Sequence, residues 1–291
     1  SSLYNCGFGS DELRDAARLL ADLIFSTFLA TAHEAVPPGL PLIISGGCGL
    51  NCDWNSAWAN SDHFSSLFVP PCPNDSGSAI GTAVDIQSAL GLGTAIRWSV
   101  YSGPSFVVDG LPGADWTHRS ADPAELAGRL AVGAIIPFVQ GRAEIGPRAL
   151  GHRSLLASAL DPAMTERLNL LKGRESYRPI APCCRDAEFD TYFEGRRDPY
   201  MLFFNRAISD LTPATTHVDG SARVQVVGPD NVALYALLTT FGALMGVGVL
   251  CNTSLNYPGR GFINRMSELV GFCDSRSLDA FVVEGVLWCR S

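Results

Sequence analysis

Apolar residues recur at helical spacing over residues 10–33, where Leu13, Ala16, Ala17, Leu20, Ile24 and Phe28 fall on one stripe. Ser10 is placed as an N-cap, Asp11 and Glu12 sit in the first turn, and Pro37-Pro38-Gly39 ends the pattern. Residues 42–45 read as a short buried strand entering Gly46-Gly47-Cys48-Gly49-Leu50-Asn51, so backbone can come close to a ligand at the strand's C-terminal end. A second strand, 66–69, leads through Pro70-Pro71-Cys72-Pro73-Asn74-Asp75-Ser76-Gly77 into a helix of small residues, 78–90. Between 91 and 119 the periodicity fades and Gly, Pro and Ser collect, which predicts a boundary with a short edge hairpin. A new unit follows: Asp122-Pro123 opens a helix, 135–140 is a strand, and 141–153 is a loop of glycine and arginine. The pattern then gives a helix over 231–245, a strand over 247–251, a turn over 252–261, a helix over 266–273 and a closing strand over 280–283. This alternation of strands and helices places the chain in the α/β class (α+β in its mixed strand order), with units over 1–110 and 115–291.

Composition narrows the function classes. The 291 residues are 47% hydrophobic and 17% charged, which excludes a disordered tail or a coiled coil. A net charge of -8 opposes phosphate backbones and anionic lipid, so neither nucleic acid nor a membrane surface is expected as partner. The longest apolar stretch, 237–251, is interrupted by Thr239, Thr240 and three glycines and is too short for a bilayer. Ser1-Ser2-Leu3-Tyr4-Asn5 shows no basic region leading into an apolar run, and a cytoplasmic location is the expectation. The nine cysteines, with no CxxC pair among them, read as buried reduced thiols, including the vicinal Cys183-Cys184.

Charge is unevenly spread. Within 141–178 the cations Arg142, Arg148, Arg153, Arg167, Lys172, Arg174 and Arg178 face only Glu144, Asp161, Glu166 and Glu175. A positive island in an acidic chain fits a compact anionic ligand, and guanidinium groups grip phosphate oxygens two at a time. Lys172 is the one lysine among 21 cations, a placement that suits a compact ammonium of tunable pKa. The loop Gly141-Arg142-Ala143-Glu144-Ile145-Gly146-Pro147-Arg148-Ala149-Leu150-Gly151-His152-Arg153-Ser154 can freeze backbone and side-chain donors around an anion. Asn252-Thr253-Ser254-Leu255-Asn256, after a strand, offers amides and hydroxyls to phosphate or ribose. There is no GxxxxGK[ST] loop, no GxSxG elbow and no HExxH or HxxxH among the five histidines.

The runs GRAEIGPRALGHRS, KGRESYRPIAP (172–182), HVDGSARVQ (217–225) and LCNTSLN (250–256) together resemble the O-carbamoyltransferases of natural-product and nodulation-factor biosynthesis. ISGGCGLN (44–51) and FVPPCPNDSG (68–77) look like the second half of that family's actin-like (ASKHA) ATPase domain, and 115–291 looks like its YrdC-like domain. The resemblance implies that carbamoyl phosphate and ATP form a carbamoyladenylate, whose carbamoyl group passes to the hydroxyl of a small-molecule acceptor. It implies that Lys172 and Arg178 hold carbamoyl phosphate, that Arg148 and Arg223 lie on the nucleotide phosphates, and that Arg142, Arg174, Asn252, Ser254 and Asn256 complete the pocket. Gly46, Gly47 and Asn51 would approach adenosine and phosphates, and Asp75 matches an aspartate that helps bind a metal, magnesium with the nucleotide or iron in the complete actin-like domain. The family's front lobe precedes these motifs, so a missing N-terminal lobe or a partner chain is expected against an exposed face. A macrolactam or polyketide alcohol is expected over an aminoglycoside, because 1–110 shows no acidic cluster. Two other functions fit the same motifs: carbamoyladenylate synthesis for a different acceptor, and a nucleotide-binding subunit without catalysis.

Overall fold

The computed structural model describes residues 10–291; the N-terminal pentapeptide and Cys6 lie outside the described residues. Helix α1 (Asp11–Ala35) starts where expected, with Ser10 Oγ accepting from the Leu13 N–H at 3.3 Å. None of its residues is buried, although Phe25 and Phe28 lean on Trp54 and Trp58. Strand β1 (Pro41–Ile43) is followed by a 3-10 turn (Gly47–Leu50), α2 (Cys52–Ala59), β2 (Ser66–Phe68) and α3 (Ser78–Ala89). β1 and β2 pair in parallel as a two-stranded sheet.

The larger part begins with β3 (Trp116–Ser120), α4 (Pro123–Ala131), β4 (Ile136–Val139), β5 (Arg153–Ser158), α5 (Ala163–Leu171), β6 (Ala181–Arg185) and α6 (Phe189–Tyr192). It continues through β7 (Phe193–Glu194), β8 (Asn205–Ala207), β9 (Ser221–Ala222), β10 (Gln225–Val227), α7 (Val232–Met245), β11 (Val249–Ser254), α8 (Met266–Asp274), β12 (Ala280–Val283) and β13 (Val286–Arg290). Eight of these strands form a mixed sheet in the order β10-β6-β11-β5-β4-β12-β13-β3, and β7, β8 and β9 form a small antiparallel sheet beside it. The fold is therefore mixed α/β.

Alternation along the central strands builds a core on each face of the large sheet. In β5 and β11, Leu156 and Leu250 meet Leu234, Leu238 and Phe241 of α7 and Leu126 and Leu130 of α4. Their neighbours Leu155, Ala157, Val249 and Cys251 turn the other way, towards Met164 and Leu168 of α5 and Leu269 and Phe272 of α8. Cys183 and Cys184 divide between the two cores in the same way, and burial pushes both thiols up, so they are packing residues. Of the eight described cysteines, all reduced, only Cys48 is exposed, against the expectation of burial.

The expected hairpin in 91–119 is absent. That segment is instead held by the glycine–arginine loop, with Gly103 N–H on the Ala143 carbonyl at 2.9 Å, and only its end forms β3, an edge strand on β13. The expected turn over 252–261 starts later, because Asn252, Thr253 and Ser254 pair with Leu156, Leu155 and Ser154 of β5. Among the described residues no helix is long and apolar enough to cross a membrane.

Candidate anion site at one end of the large sheet

Sheet topology gathers the motifs. β4 ends at Val139, opposite Arg153 at the start of its antiparallel neighbour β5, and Ser254 at the end of β11 pairs with Ser154. Asn252 of β11 pairs with Ala181 at the start of β6, and Gln225 at the start of β10 pairs in parallel with Cys183. Loop 140–152, segment 172–180, Arg223 and residues 255–256 therefore leave the sheet at the same end.

Lys172 is the C-terminal cap of α5 and is only 7% exposed. Its Nζ donates to the Ser254 carbonyl, to Ser254 Oγ at 2.9 Å and to Asn256 Oδ1 at 2.6 Å. Among the described residues no carboxylate balances it: burial first, then the charges of Arg174 and Arg276, pull its pKa down to about 7. Asn169 of α5 organises the segment beyond, accepting from Arg174 Nε at 2.6 Å and donating to the carbonyls of Ser176 and Arg178.

Arg174, Arg148 and Arg223 form the rest of the cluster. Arg223 is pulled down to about 10 by burial and by Arg148, with Arg174 adding to the effect and the Cys52 thiol opposing it. Arg148 Nη2 donates to the Leu50 carbonyl at 3.1 Å and lies 4.0 Å from Cys52 Sγ. Arg148 Nε, Arg174 Nη2 and Arg223 Nε are buried with no hydrogen-bond partner among the described residues. Among the described residues none of the three arginines enters an ion pair. Buried polar atoms are nearly always bonded, so three orphaned guanidinium nitrogens in the cluster that holds Lys172 make it the candidate anion site.

The loop that presents Arg148 is built around a carboxylate whose structural role is not visible in the residue order. Glu144 is buried, and its Oε1 accepts from the backbone N–H of Leu150 at 2.5 Å, His152 at 3.0 Å and Arg153 at 3.3 Å. The Leu150 carbonyl in turn receives Gln225 Nε2 at 2.8 Å, Asn231 Nδ2 at 3.1 Å and the Tyr101 hydroxyl at 3.1 Å. Gly151 has φ +102°, and an added Cβ would stand 2.7 Å from Leu234, so this turn requires glycine.

Other expected site residues are placed differently. Arg142 spends its guanidinium on the carbonyls of Gly103 at 2.7 Å and Ser102 at 2.9 Å and does not join the cluster. Arg153, wholly buried, is a strut between the Gln140, Gly141 and His152 carbonyls and Asn264. Asn252 donates to the Ala149 carbonyl and Gln225 Oε1, holding the loop from below with its own Oδ1 unbonded. Ser254 and Asn256 hold Lys172. Arg178 stands at the exposed rim, bonded to Glu175 at 2.5 Å, where its charge reaches Arg174. It lines a cleft of about 330 Å³ with His217 and Asp219.

In the amino-terminal part, Gly46 and Asp75 line one cleft of about 390 Å³. A Cβ on Gly46 or Gly47 would meet nothing within 4 Å, so their backbone is open to approach. Gly47 and Asn51 do not line that cleft, and Asn51 instead caps α2 through the Trp54 N–H at 3.2 Å. Among the described residues no group of three His, Cys, Asp or Glu could hold a metal, so Asp75 stands without the ligand set a metal centre needs.

A family model described as the carbamoyltransferase C-terminus matches residues 127–290, which is more than half of the chain. The chain belongs to the carbamoyltransferase family. The model of the carbamoyltransferase N-terminus matches residues 18–84. A 3'-hydroxymethylcephem-O-carbamoyltransferase of Amycolatopsis lactamdurans is 54% identical over 99% of this chain and 56% of its own length. Nodulation protein U of Sinorhizobium fredii (strain NBRC 101917 / NGR234) is 45% identical over 84% of this chain and 44% of its own. The chain thus spans about half the length of the curated relatives it matches. Full-length HypF in its phosphate- and nucleotide-bound form overlaps at TM-score 0.40 and 16% identity, over 56% of this chain and 25% of that one, a shallow likeness of part of the fold.

Proposed function

We propose that this carbamoyltransferase chain serves an ATP-dependent O-carbamoyl transfer in specialised metabolism. Water hydrolyses carbamoyl phosphate to carbamate and phosphate, a carbamate oxygen attacks the α-phosphorus of ATP with loss of pyrophosphate, and an acceptor hydroxyl then takes the carbamoyl group with loss of AMP. The observation that carries this reading is the set of unbonded nitrogens on Arg148, Arg174 and Arg223 beside Lys172. Adenylation gives a poor electrophile a good leaving group, and fixed cations stabilise the charge that develops at phosphorus.

In this reading Arg148 and Arg223 receive nucleotide phosphates, and Arg174 and Lys172 stand at the transferring centre. Arg178 swings from Glu175 to the carbamoyl donor. Lys172 takes its proton as the anion arrives, since opposite charge favours the ammonium. Residues 115–291 are the YrdC-like unit, and 1–110 are the second half of an actin-like unit. The cleft at Gly46 and Asp75 lies where the acceptor step would be completed by a further lobe or a partner chain. The 3'-hydroxymethylcephem relative supports a hydroxymethyl group as the acceptor here.

The test is AMP and pyrophosphate formation from ATP, with and without carbamoyl phosphate, for this chain and for Lys172→Ala. Carbamoyl-phosphate-dependent AMP that disappears in the variant supports the reading. Nucleotide binding without turnover, unchanged when the rest of a relative's length is supplied, favours a non-catalytic subunit.

A further inference from the structure

Beside the arginine cluster, the motif at 217–225 contains a hydrogen-bond relay with one directed end. The Ser221 hydroxyl donates to Asp219 Oδ1 at 2.7 Å, and the Ser221 backbone N–H donates to the same oxygen at 2.9 Å. Partial desolvation raises the Asp219 pKa, but these two bonds overcome it and hold the carboxyl below its ordinary value, so it can only accept. Ser221 has one hydroxyl proton, and it is committed to Asp219. The 2.9 Å contact between Ser221 Oγ and His217 Nδ1 must therefore carry the proton on Nδ1.

A neutral imidazole protonated at Nδ1 has a bare lone pair at Nε2. Burial holds the ring neutral, down to about 4, against the pull of Asp219, and the Arg223 charge opposes a second proton. His217 Nε2 is buried and has no hydrogen-bond partner among the described residues. Phe204 fixes the ring, edge to face at 5.2 Å between centroids. His217 lines the 330 Å³ cleft together with Arg178, Tyr177, Thr165 and Thr215. Arg178 and His217 thus share one cleft, the first with a guanidinium and the second with a ring nitrogen that can only accept.

We propose that His217 determines the acyl specificity of this site: its bare Nε2 accepts a hydrogen bond from the amino group of carbamoyl phosphate, and the cleft thereby rejects acetyl phosphate. The two acyl phosphates differ only in an amino group against a methyl of almost the same size, so shape alone separates them poorly. With acetyl phosphate the buried acceptor stays unbonded, a loss that corresponds to about 10- to 100-fold in affinity. The inference rests on the reading that the cleft at Arg178 takes the carbamoyl donor.

The test is calorimetric binding of carbamoyl phosphate, acetyl phosphate and inorganic phosphate to the chain, to His217→Asn and to Ser221→Ala. Asn keeps a donor near the Nδ1 position for Ser221 and deletes Nε2. Ser221→Ala keeps the ring and frees its tautomer, so it decides the matter if His217→Asn does not fold. The expected result is at least tenfold preference for carbamoyl over acetyl phosphate in the chain, lost in both variants while inorganic phosphate binds equally well. Folded variants that retain the full preference overturn the proposal, as does a chain that binds both acyl phosphates alike. A chain that binds no phosphate compound overturns the underlying reading as well.

Discussion

Arg148 stands close enough to Arg223 to depress its proton affinity, with the Cys52 thiol as neighbour and an unbonded buried nitrogen on each arginine. Two like charges held together without a counter-ion destabilise the empty chain and favour any anion that enters. Arg223→Met is therefore expected to raise the unfolding free energy of the ligand-free chain by about 1 kcal/mol and to abolish the upward Tm shift caused by pyrophosphate. Thermal unfolding with and without pyrophosphate checks both. A variant destabilised when empty, with its pyrophosphate shift intact, would place the anion elsewhere.

Lys172 predicts a pH signature. Its pKa falls from an ordinary 10.5 to about 7 in the fold, so between those values the unfolded chain binds the extra proton and stability rises with pH. An anion reverses the shift. At pH 8 the binding of a phosphate dianion should draw in about one proton, seen as a dependence of calorimetric enthalpy on buffer ionisation heat. Lys172→Met should show almost none.

Glu144 is expected to decide whether the Arg148 loop keeps its shape. Glu144→Ala leaves the N–H groups of Leu150, His152 and Arg153 without their common acceptor and should cost about 3 kcal/mol in urea denaturation. Those three amides should lose hydrogen-exchange protection ahead of the rest of the sheet. Glu144→Gln keeps one acceptor oxygen and should cost about 1 kcal/mol.

Arg142→Ala provides the contrast. Its guanidinium is tied to the Gly103 and Ser102 carbonyls. Pyrophosphate affinity should change by less than about twofold, while Arg174→Ala should lower it by about tenfold or more. Equal losses in the two would show that the loop acts as one undivided cationic surface.

These contrasts also show what the sequence could reveal. Strand β4 and helices α1, α4, α7 and α8 follow from apolar spacing and capping residues, and the cationic island with its lone lysine is visible in the residue order. What each arginine does is not, because it depends on partners brought by topology. Arg153 and Arg148 sit five positions apart in one loop, yet Arg153 is absorbed by Asn264, 111 residues away, while Arg148 reaches back to Leu50. Asn252 and Ser254 looked like a ligand-binding turn because the polar run hides that they continue β11 across β5. Strand β6, helix α5 and helix α2 escaped notice since their short apolar stretches carry no distinct period.

Arg148 has a last consequence for anyone recombining these enzymes. One nitrogen of its guanidinium is fixed to Leu50, in the turn that follows Gly46, and Gly146 of the same loop lies so close to the Pro71 carbonyl that a Cβ there would approach it to 3.1 Å. A chimera joined between the two family-model segments would inherit an arginine from one parent and its anchoring turn from the other. Swapped modules should work only when residues 46–55, 70–73 and 141–153 travel together.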